Sequence, residues 1–530
     1  MTTSPSSPEM HWSRWGDPAQ AGPLPHSTRA LVDAFLGTRD TPAVDPSEVR
    51  LSEPLDESLL AELGEIVGPD HVLTDHETRL HRTRGKSTPD LLLLRHGDGL
   101  DSPDVVVRPA DHDQVAAVIG WCVRRHVALV PFGGGTSVVG GLVARRDGYA
   151  GVVCLDLVRL DTLLEVDHES MTAWLEPGLR GPAAERLLAA EGLTLGHFPQ
   201  SFEYATIGGF AVTRSSGQSS AGYGRFDALV VGLRVATPQG TLELGTSPAN
   251  AAGPDLRELV MGSEGAFGIV TAVRVRVRRS PAVKVYEAWR FASFAEGATA
   301  MRTLAQAGML PTVIRLSDEA ETAINLARPS EVGSDDATSG GCLMITGYEG
   351  TQEAVDVRRA ACTSLLEGLD GQSLGEEGGE AWAAGRYHGP YLRDALLDVG
   401  VLVDTLETVA FWSRLDEVYA AVKQALTDSL GEGTIVLCHM SHVYETGASL
   451  YFTVAAPQGD DPVAQWYAAK GAASDAMVRA GASITHHHAV GRDHLPWLAD
   501  EIGPVGVMIL RAVKDRLDPT CVLNPGVLIP

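Results

Sequence analysis

The sequence predicts a mixed α and β protein with an N-terminal arm, two principal domains and a C-terminal tail. Its 530 residues suggest two to four domains at the usual ~150 residues each. The 57 glycines and 30 prolines favour a turn-rich α/β or α+β protein over a helical bundle. From residue 103 apolar strands alternate with amphipathic helices, and after about residue 283 longer helices mix with strands. This shift of pattern indicates a domain boundary.

The predicted regions are 1–99, 100–282, 283–500 and 501–530. In the first, a Pro- and Ser-rich arm places Trp12 and Trp15 where we expect them to pack onto the body, and helical spacing predicts a helix over Leu51–Val67. Strands over 104–108, 128–132 and 151–156 begin a β-α-β layer in the second.

The third region is predicted to be a second domain, and the fourth a C-terminal segment that returns to the ligand site of the second region. Helices are predicted over 295–308, 355–368 and 415–430, and strands over 342–348 and 449–456. An acidic, Gly-rich stretch over 331–341 predicts a mobile loop.

The net charge of −26 argues against nucleic-acid binding and against electrostatic docking to an anionic membrane. An anionic substrate would need a local cluster of Arg, Lys or His. The six cysteines lack C-x-x-C spacing, which predicts buried free thiols in a reducing compartment. Because no apolar run reaches 18 residues and the N-terminus has no signal-like core, we expect a soluble cytoplasmic protein. Peripheral membrane contact and a homodimer are left open.

Three segments rich in Gly, Ser and Thr follow one another between residues 131 and 270. The first, Pro131–Ser137, follows a strand and holds three consecutive glycines, whose backbone N–H groups can form an anion nest. It lacks the Lys of a P-loop and the spacing of G-x-G-x-x-G, and alone it fits a structural turn equally well. Together with Thr206–Gly217 and Gly262–Gly268 it predicts an extended ligand with a pyrophosphate.

The order P-x-G-G-G-T-S, P-x-S-x-E-x-x-T-x-G-G and G-S-E-G-x-x-G-I-V resembles the vanillyl-alcohol-oxidase superfamily. The resemblance implies an α+β fold, with a PCMH-type FAD-binding domain and an α+β cap or substrate domain. Some relatives bind flavin covalently through a His in the first loop. Thr136 stands in that loop here, so FAD is expected to be noncovalent. The resemblance assigns FAD binding to Pro131, Phe132, Gly133, Gly134, Gly135, Thr136, Ser137, Gln200, Ser201, Phe202, Glu203, Tyr204, Ala205, Thr206, Gly208, Gly209, Thr213, Arg214, Ser215, Ser216, Glu264, Gly265, Ala266, Phe267, Gly268, Ile269 and Val270.

The cap region contains three further candidate groups, each with a structural alternative. The triplet His486, His487 and His488 lies in a partly apolar segment, which favours acid–base or anion-binding work over a metal site or a structural role. On a strand His486 and His488 would share a face, whereas in a loop all three can converge. Tyr444 alone fits a packed aromatic, and Arg393 alone fits a salt bridge to a nearby Asp.

Together these groups resemble a narrower family, the alkylglycerone-phosphate synthases of ether-lipid synthesis. The match includes Ile314–Asp318, Tyr391–Asp394, Glu407-Thr408, Tyr444–Ala448 and Ser483–Gly491, and it covers nearly the whole chain.

The resemblance implies a transferase that replaces the acyl group of 1-acyl-dihydroxyacetone phosphate with a fatty alcohol. The flavin takes over the C1 carbon, and no net redox change occurs. Arg393 would bind substrate, Tyr444 would donate a proton, the His triplet would handle substrate and protons, and Arg315 would support the site. No metal is predicted.

The alternative is an FAD-linked dehydrogenase of a 2-hydroxy acid or another alcohol. The C-terminal stretch Asp518–Gly526 is similar to the tail of such enzymes. Their H-x-G-D-G-N-x-H segment is absent, and His442–Gly447 stands in its place. The missing segment makes this alternative weaker. A third class, a flavin-binding protein without catalysis, is the least favoured because the sequence offers so many polar candidate site residues.

Overall fold

A computed structural model of the protein describes residues 9–143, 145–324 and 340–530. The stretch for which a mobile loop is predicted, 331–341, therefore falls almost entirely outside the described residues. The N-terminal region forms α1 (His26–Phe35), β1 (Arg50–Leu51), α2 (Glu57–Val67), β2 (Val72–Leu73), α3 (His76–His81), α4 (Thr88–Arg95) and β3 (Asp98–Gly99).

The second region contains two sheets that pack side by side through shared apolar side chains. Its elements are β4 (Val105–Val107), α5 (His112–Arg125), β5 (Ala128–Phe132), β6 (Val152–Asp156), β7 (Leu163–Asp167), β8 (Thr172–Leu175), α6 (Gly181–Ala190), β9 (Leu193–Thr194), α7 (Ile207–Val212), α8 (Ser220–Tyr223), α9 (Phe226–Leu229), β10 (Val230–Thr237), β11 (Gly240–Leu244), α10 (Arg257–Val260), β12 (Ile269–Arg276) and β13 (Arg278–Arg279). A four-stranded sheet has the order β2-β4-β6-β5, with β4 and β5 both parallel to β6. A five-stranded antiparallel sheet has the order β11-β10-β12-β8-β7.

Local sequence explains where these elements begin and which face they bury. Asp111 caps α5 by accepting a hydrogen bond from the Gln114 backbone N–H at 2.8 Å. Along β12 the side chains of Val273 and Val275 are buried while Arg276 is exposed, as the alternation of Val and Arg predicts.

The third region is built around a seven-stranded antiparallel sheet in the order β17-β14-β16-β15-β19-β20-β18. Helices cover one face of this sheet and form the largest apolar core with it. The elements are β14 (Val283–Phe291), α11 (Phe294–Gln306), β15 (Val313–Ser317), α12 (Glu319–Ala323), β16 (Cys342–Gly350), α13 (Gln352–Gly368), β17 (Gln372–Gly375), α14 (Glu377–Gly385), α15 (Gly389–Leu397), β18 (Val401–Phe411), α16 (Leu415–Leu430), β19 (Ile435–Val443), β20 (Gly447–Pro457), α17 (Pro462–Arg479) and α18 (Leu498–Leu517).

Both ends of the chain pack onto the body of the protein. After α18 the chain runs back to β5, where Leu523 pairs with Leu129 in a parallel bridge. At the other end Trp12 and Trp15 are both buried, as predicted. None of the helices in the described part of the chain is both long and apolar enough to cross a membrane.

Two local expectations are wrong. The helix predicted over Leu51–Val67 begins only at Glu57, because Leu51 belongs to β1 and Pro54 lies in the irregular stretch between the two elements. Cys521 is exposed, whereas the other five cysteines are buried free thiols.

Candidate active site

A cavity of about 400 Å³ lies between the glycine-rich segments and the seven-stranded sheet. The sheet contributes alternate residues of β18, β19 and β20 to the cavity wall: Val403 and Thr405, His439 and Ser441, Tyr451 and Thr453. Since alternate residues of a strand share a face, the cavity occupies the sheet face opposite to the helix-covered core. Its volume lies in the range of about 300–1,000 Å³ that small-molecule sites occupy.

Most of the predicted FAD-binding residues line this cavity. From the three segments the lining includes Pro131, Phe132, Gly133, Gly134, Gly135, Thr136, Ser137, Gln200, Ser201, Ala205, Thr206, Gly208, Gly209, Thr213, Ser215, Ser216, Glu264, Gly265, Gly268, Ile269 and Val270. All three glycine-rich segments therefore meet at one site.

Six of the predicted residues do not line the cavity: Phe202, Glu203, Tyr204, Arg214, Ala266 and Phe267. Ala266 and Phe267 belong to an apolar cluster with Ile484 and Leu498. Arg214 forms ion pairs with Asp227 and Glu258, and Tyr204 packs edge-on against Trp15. These side chains support the cavity from outside.

The glycine loop approaches neighbouring backbone closely. A Cβ on Gly134 would lie 2.0 Å from the carbonyl oxygen of Tyr204, so only glycine fits there. Glu264 adopts a left-handed backbone conformation with φ of 51°, which is costly for a residue with a side chain. Its buried carboxylate accepts a hydrogen bond from the Gly491 backbone N–H at 2.7 Å. Burial raises the pKa of Glu264 to about 8.

The His triplet lies in an irregular loop that converges on a single carboxylate. Glu407, on the cavity-side face of β18, is 1% exposed. It accepts hydrogen bonds from the backbone N–H groups of His486, His487 and His488 at 2.6, 3.2 and 3.0 Å, and from the Thr485 hydroxyl at 2.5 Å. Because one acceptor binds three consecutive N–H groups, the loop brings the three rings together.

A chain of hydrogen bonds runs from Tyr444 into this triplet. The Tyr444 hydroxyl lies 2.5 Å from Nε2 of His486, and Nδ1 of His486 lies 3.0 Å from Nδ1 of His487. Arg225 steadies the same chain by donating to the His486 carbonyl oxygen at 3.1 Å. His487 and His488 line the cavity, whereas Tyr444 and His486 do not. Tyr444 therefore reaches the cavity through the two rings.

The electrostatic environment keeps these rings neutral. Burial lowers the pKa of His486, and the neighbouring His487 lowers it further. Burial also lowers the pKa of His488, to about 3. Although burial raises the pKa of Glu407, the positive charge that His487, His488 and His486 would carry when protonated and the hydrogen bond from Thr485 hold it well below its ordinary value. Burial raises the pKa of Tyr444 to about 12, with Arg225 acting in the opposite direction. The hydroxyl is therefore protonated at neutral pH.

His442 joins the cluster because of a bulge in β19 between Met440 and Val443. Its Nδ1 lies 3.1 Å from the Ser216 hydroxyl and 2.9 Å from that of Ser220, and its ring stacks on that of His486 at 5.0 Å. Within the described residues, His442, His486 and His487 are the group with nitrogen atoms spaced for a metal, all within 4.8 Å. The hydroxyls that already bond these nitrogens favour a hydrogen-bond network, and the expectation of no metal stays a prediction.

Two of the predicted arginines also line the cavity, each with a carboxylate partner. Arg315 forms an ion pair with the buried Glu321 and lies within 3.2 Å of the His439 ring. Arg393 lies 2.9 Å from Asp394 and donates to the Lys86 carbonyl oxygen at 2.7 Å. The structure therefore combines the salt bridge with a position in the cavity, although the sequence presented these as alternatives.

Sequence reasoning did not select Glu407, His442, Arg225 or Arg386 as site residues. Glu407 and His442 stand inside segments that carry the family resemblance, and that position was the available signal. Arg225 follows the second glycine-rich segment without any recognisable pattern around it. Arg386 directly follows α14 as its C-cap and lines the cavity, and its sequence surroundings give no sign of this role.

The chain matches two family models that divide it in sequence. The FAD binding domain model matches residues 103–245, and the model of the C-terminal domain of FAD linked oxidases matches residues 280–528. The residues present fit this cofactor, because the three glycine-rich segments line one cavity and the backbone of Gly134 approaches its neighbours too closely for any side chain. The protein therefore has an FAD-binding domain of the PCMH type followed by a second α+β domain.

Curated relatives are similar over nearly the full length of the chain. An alkyldihydroxyacetonephosphate synthase of Dictyostelium discoideum is 32% identical over 513 residues, covering 93% of this chain and 84% of the relative. One of Trypanosoma brucei brucei is 30% identical, covering 98% and 92%. A mitochondrial D-lactate dehydrogenase of Arabidopsis thaliana is 24% identical, covering 94% and 84%.

Solved structures show the same order of similarity, with the synthases ahead of the oxidoreductases. An alkyldihydroxyacetonephosphate synthase structure superposes with a TM-score of 0.84 at 29% identity and covers 98% of both chains. A p-cresol methylhydroxylase structure reaches 0.72 at 16% identity, covering 92% of this chain and 98% of its own, and shares the fold. The oxidoreductase alternative is thus the weaker one, and the chain belongs to the alkyldihydroxyacetonephosphate synthase family.

Proposed function

We propose that this protein exchanges the acyl group of 1-acyl-dihydroxyacetone phosphate for a fatty alcohol, forming an ether-lipid precursor. The observation that carries the proposal is the neutral chain Tyr444–His486–His487, anchored on Glu407 and opening into the cavity lined by the flavin segments. An exchange of a carboxylate for an alcohol needs proton donors and acceptors at one carbon, and neutral imidazoles can serve as both.

The chain's own residues divide the work of this reaction. Arg393 binds the substrate phosphate, with Asp394 fixing the guanidinium. His487 and His488 contact the reacting groups, and the proton of Tyr444 reaches them through His486. Arg315, held by Glu321, supports the sheet side of the site. FAD, when bound along the three glycine-rich segments, would supply the reactive ring system for an exchange at C1 that involves no net redox change.

We further propose that FAD is held without a covalent bond, by the backbone of Pro131–Ser137 and the segments around Thr206 and Glu264. Thr136 offers no imidazole to the flavin. Acid precipitation of the holoprotein is expected to release all of the yellow colour into the supernatant. Flavin that stays with the pellet would contradict the noncovalent proposal.

The decisive test incubates the purified holoprotein with palmitoyl-dihydroxyacetone phosphate and hexadecanol in the absence of an electron acceptor. Mass spectrometry is expected to show alkyl-dihydroxyacetone phosphate and one palmitate for each ether formed. Apoprotein serves as the control. Absence of ether together with rapid dye reduction by D-lactate would replace this proposal with the dehydrogenase alternative. Membrane contact, cytoplasmic location and a homodimer stay predictions.

A further inference from the structure

Three basic side chains line the cavity within the described residues: Arg315, Arg386 and Arg393. Arg315 is neutralised by Glu321 and Arg393 by Asp394. Arg386 forms no ion pair with any described residue, although its Nε and Nη1 atoms are buried and make no hydrogen bond. Leaving a guanidinium out of water without a counter-ion is costly, so this position is built to receive one.

The surroundings of Arg386 give it a defined place but no carboxylate in direct contact among the described residues. Its guanidinium interacts with the phenols of Tyr286 and Tyr387, and the Tyr286 hydroxyl in turn donates to the buried side chain of Glu349 at 2.9 Å. Its guanidinium lies 5.3 Å from the centroid of the Phe198 ring and 5.0 Å from that of Tyr387, which fixes it by cation–π contact. Burial raises the pKa of Tyr387 to about 12, so that phenol is neutral at physiological pH. The Gln218 side chain donates to the Arg386 carbonyl oxygen at 3.4 Å and thereby contacts the residue from the flavin side.

We propose that Arg386 binds the phosphate of the substrate, together with Arg393, as the second cation of a phosphate subsite. This rests on the proposed function and deepens it. A phosphate monoester carries a charge of about −1.5 to −2 at neutral pH. Asp394 already cancels the charge of Arg393, and it also accepts a hydrogen bond from the Trp15 backbone N–H. Arg386 supplies the uncompensated positive charge and free N–H donors that a phosphate needs.

Position favours the substrate phosphate over the pyrophosphate of FAD. Arg386 stands at the end of α14, just before α15 carries Arg393 into the cavity, so both arginines come from the cap. The pyrophosphate is expected on the opposite wall, at the glycine loop that follows β5.

The test measures binding of glycerol 3-phosphate, an unreactive phosphate monoester, to holoprotein by calorimetry. Arg386→Met is expected to weaken binding on the order of 10- to 100-fold, because a charge-assisted hydrogen bond is lost. The affinity of Arg386→Lys should lie between those of Arg386→Met and the unaltered protein, since lysine keeps the charge but not the planar guanidinium. Arg414→Met is the matched control, because Arg414 is exposed and pairs with Glu417. Its affinity should equal that of the unaltered protein.

Equal affinity of Arg386→Met and the unaltered protein for glycerol 3-phosphate would overturn the inference. So would loss of FAD from this variant with normal affinity in the fraction that keeps its flavin, since Arg386 would then hold the cofactor. Dihydroxyacetone without phosphate should show no dependence on Arg386. If the protein binds phosphate through Arg386 but makes no ether, the proposed function is wrong and the inference about Arg386 stands. If Arg386→Met makes ether with an unchanged KM, the inference about Arg386 is wrong and the proposed function stands.

Discussion

The hydroxyl of Tyr444 and the imidazole of His486 illustrate how burial sets the resting position of a proton. Burial raises the pKa of the phenol to about 12 and lowers that of the ring. At neutral pH the proton therefore rests on Tyr444, and His486 offers Nε2 as an acceptor 2.5 Å away. The second ring nitrogen then donates toward His487, which lines the cavity. Each group can thus return to its starting protonation state after one turnover.

Tyr444→Phe tests this series of hydrogen bonds at the residue farthest from the cavity. The ring volume is nearly conserved, so packing should change little. We expect ether formation to fall about 10²–10⁴-fold, the range for loss of a general acid, with FAD content unchanged because Tyr444 does not line the cavity. Product formation and flavin content are measured in one preparation. Tyr467→Phe, at a side chain that is 49% exposed, is the control. A Tyr444 variant with full FAD and more than about a third of normal rate would remove Tyr444 from the mechanism.

Glu264 gives a prediction about pH and stability. Burial raises its pKa to about 8, so the folded state binds this proton more tightly than the unfolded state. The stabilisation is complete below the ordinary Glu pKa and is lost as pH rises toward 8, with a slope of at most about 1.4 kcal/mol per pH unit. Glu264→Gln removes this titration and keeps an acceptor for Gly491. Urea unfolding of both proteins at pH 5 and pH 8 should show the loss in the unaltered protein only. An equal loss of unfolding free energy in both proteins between pH 5 and pH 8 would show that Glu264 is not the titrating group.

At the scale of elements, β18 determines the geometry of the His loop. Glu407 lies opposite Tyr451 in the β18–β20 pairing, and its side chain emerges on the same face as Thr405. The strand is paired and mostly buried, whereas residues 485–489 have no regular structure. Ala489, which follows the triplet, has a φ of 73°, a left-handed conformation that the surrounding contacts must maintain. The loop thus takes its shape from the carboxylate on the strand.

Glu407→Gln tests this anchoring role. The amide keeps one acceptor but loses the charge that strengthens the bonds to the loop N–H groups. We expect kcat to fall on the order of 10- to 100-fold, with FAD retained. The carboxylate raises the pKa of His487 and His488 against the effect of burial, so its loss should move the acidic limb of the pH–rate profile to lower pH. Glu417→Gln, on the exposed start of α16, is the control. An unchanged profile with full activity would exclude the anchoring role.

The elements differ in how far the sequence alone predicts them. The strand over 128–132 and the helix over 415–430 have the predicted bounds, because apolar runs and helical spacing are local signals. The glycine-rich segments are recognisable in the sequence because close backbone approach demands glycine. The convergence of Glu407, His442 and the triplet depends on strand register and on a bulge. Those features are properties of pairing between distant segments, and they leave no local pattern. The same holds for Arg386, whose significance comes from the lack of a partner.

At the scale of the whole molecule, segments far apart in sequence close the site. Trp15 of the N-terminal arm lines the cavity, and its backbone N–H binds Asp394 beside Arg393. On the other side the C-terminal segment reaches the flavin loops, where the Asn524 side chain donates to the carbonyl oxygens of Gly141 and Glu264 at 3.1 and 2.7 Å. The cavity is therefore complete only when both ends of the chain are docked.

A buried lysine holds the C-terminal closure. Lys514 on α18 is 5% exposed, and its ammonium donates to Asp518 and to the carbonyl oxygens of Ala266 and Leu523 at 2.8, 2.8 and 2.7 Å. One side chain thus joins the last helix, the third glycine-rich segment and the segment that pairs with β5. Asp518 in turn accepts the backbone N–H of Leu523 at 2.8 Å, so the pair is fully hydrogen-bonded.

Lys514→Met should destabilise the protein by about 3–5 kcal/mol, because it leaves the buried Asp518 without its partner. It should also weaken FAD binding, since Ala266 adjoins Glu264 and Gly265 in the cavity wall. Urea unfolding followed by circular dichroism gives the first quantity, and flavin fluorescence on dilution gives the second. Arg414→Met is the control: Arg414 and Glu417 are each 56% exposed and lie 3.0 Å apart, a contact worth at most about 1 kcal/mol. If Lys514→Met lost no more stability than Arg414→Met and kept its FAD, the C-terminal segment would be docked by its apolar contacts through Val522 and Leu523 instead of by this ion pair.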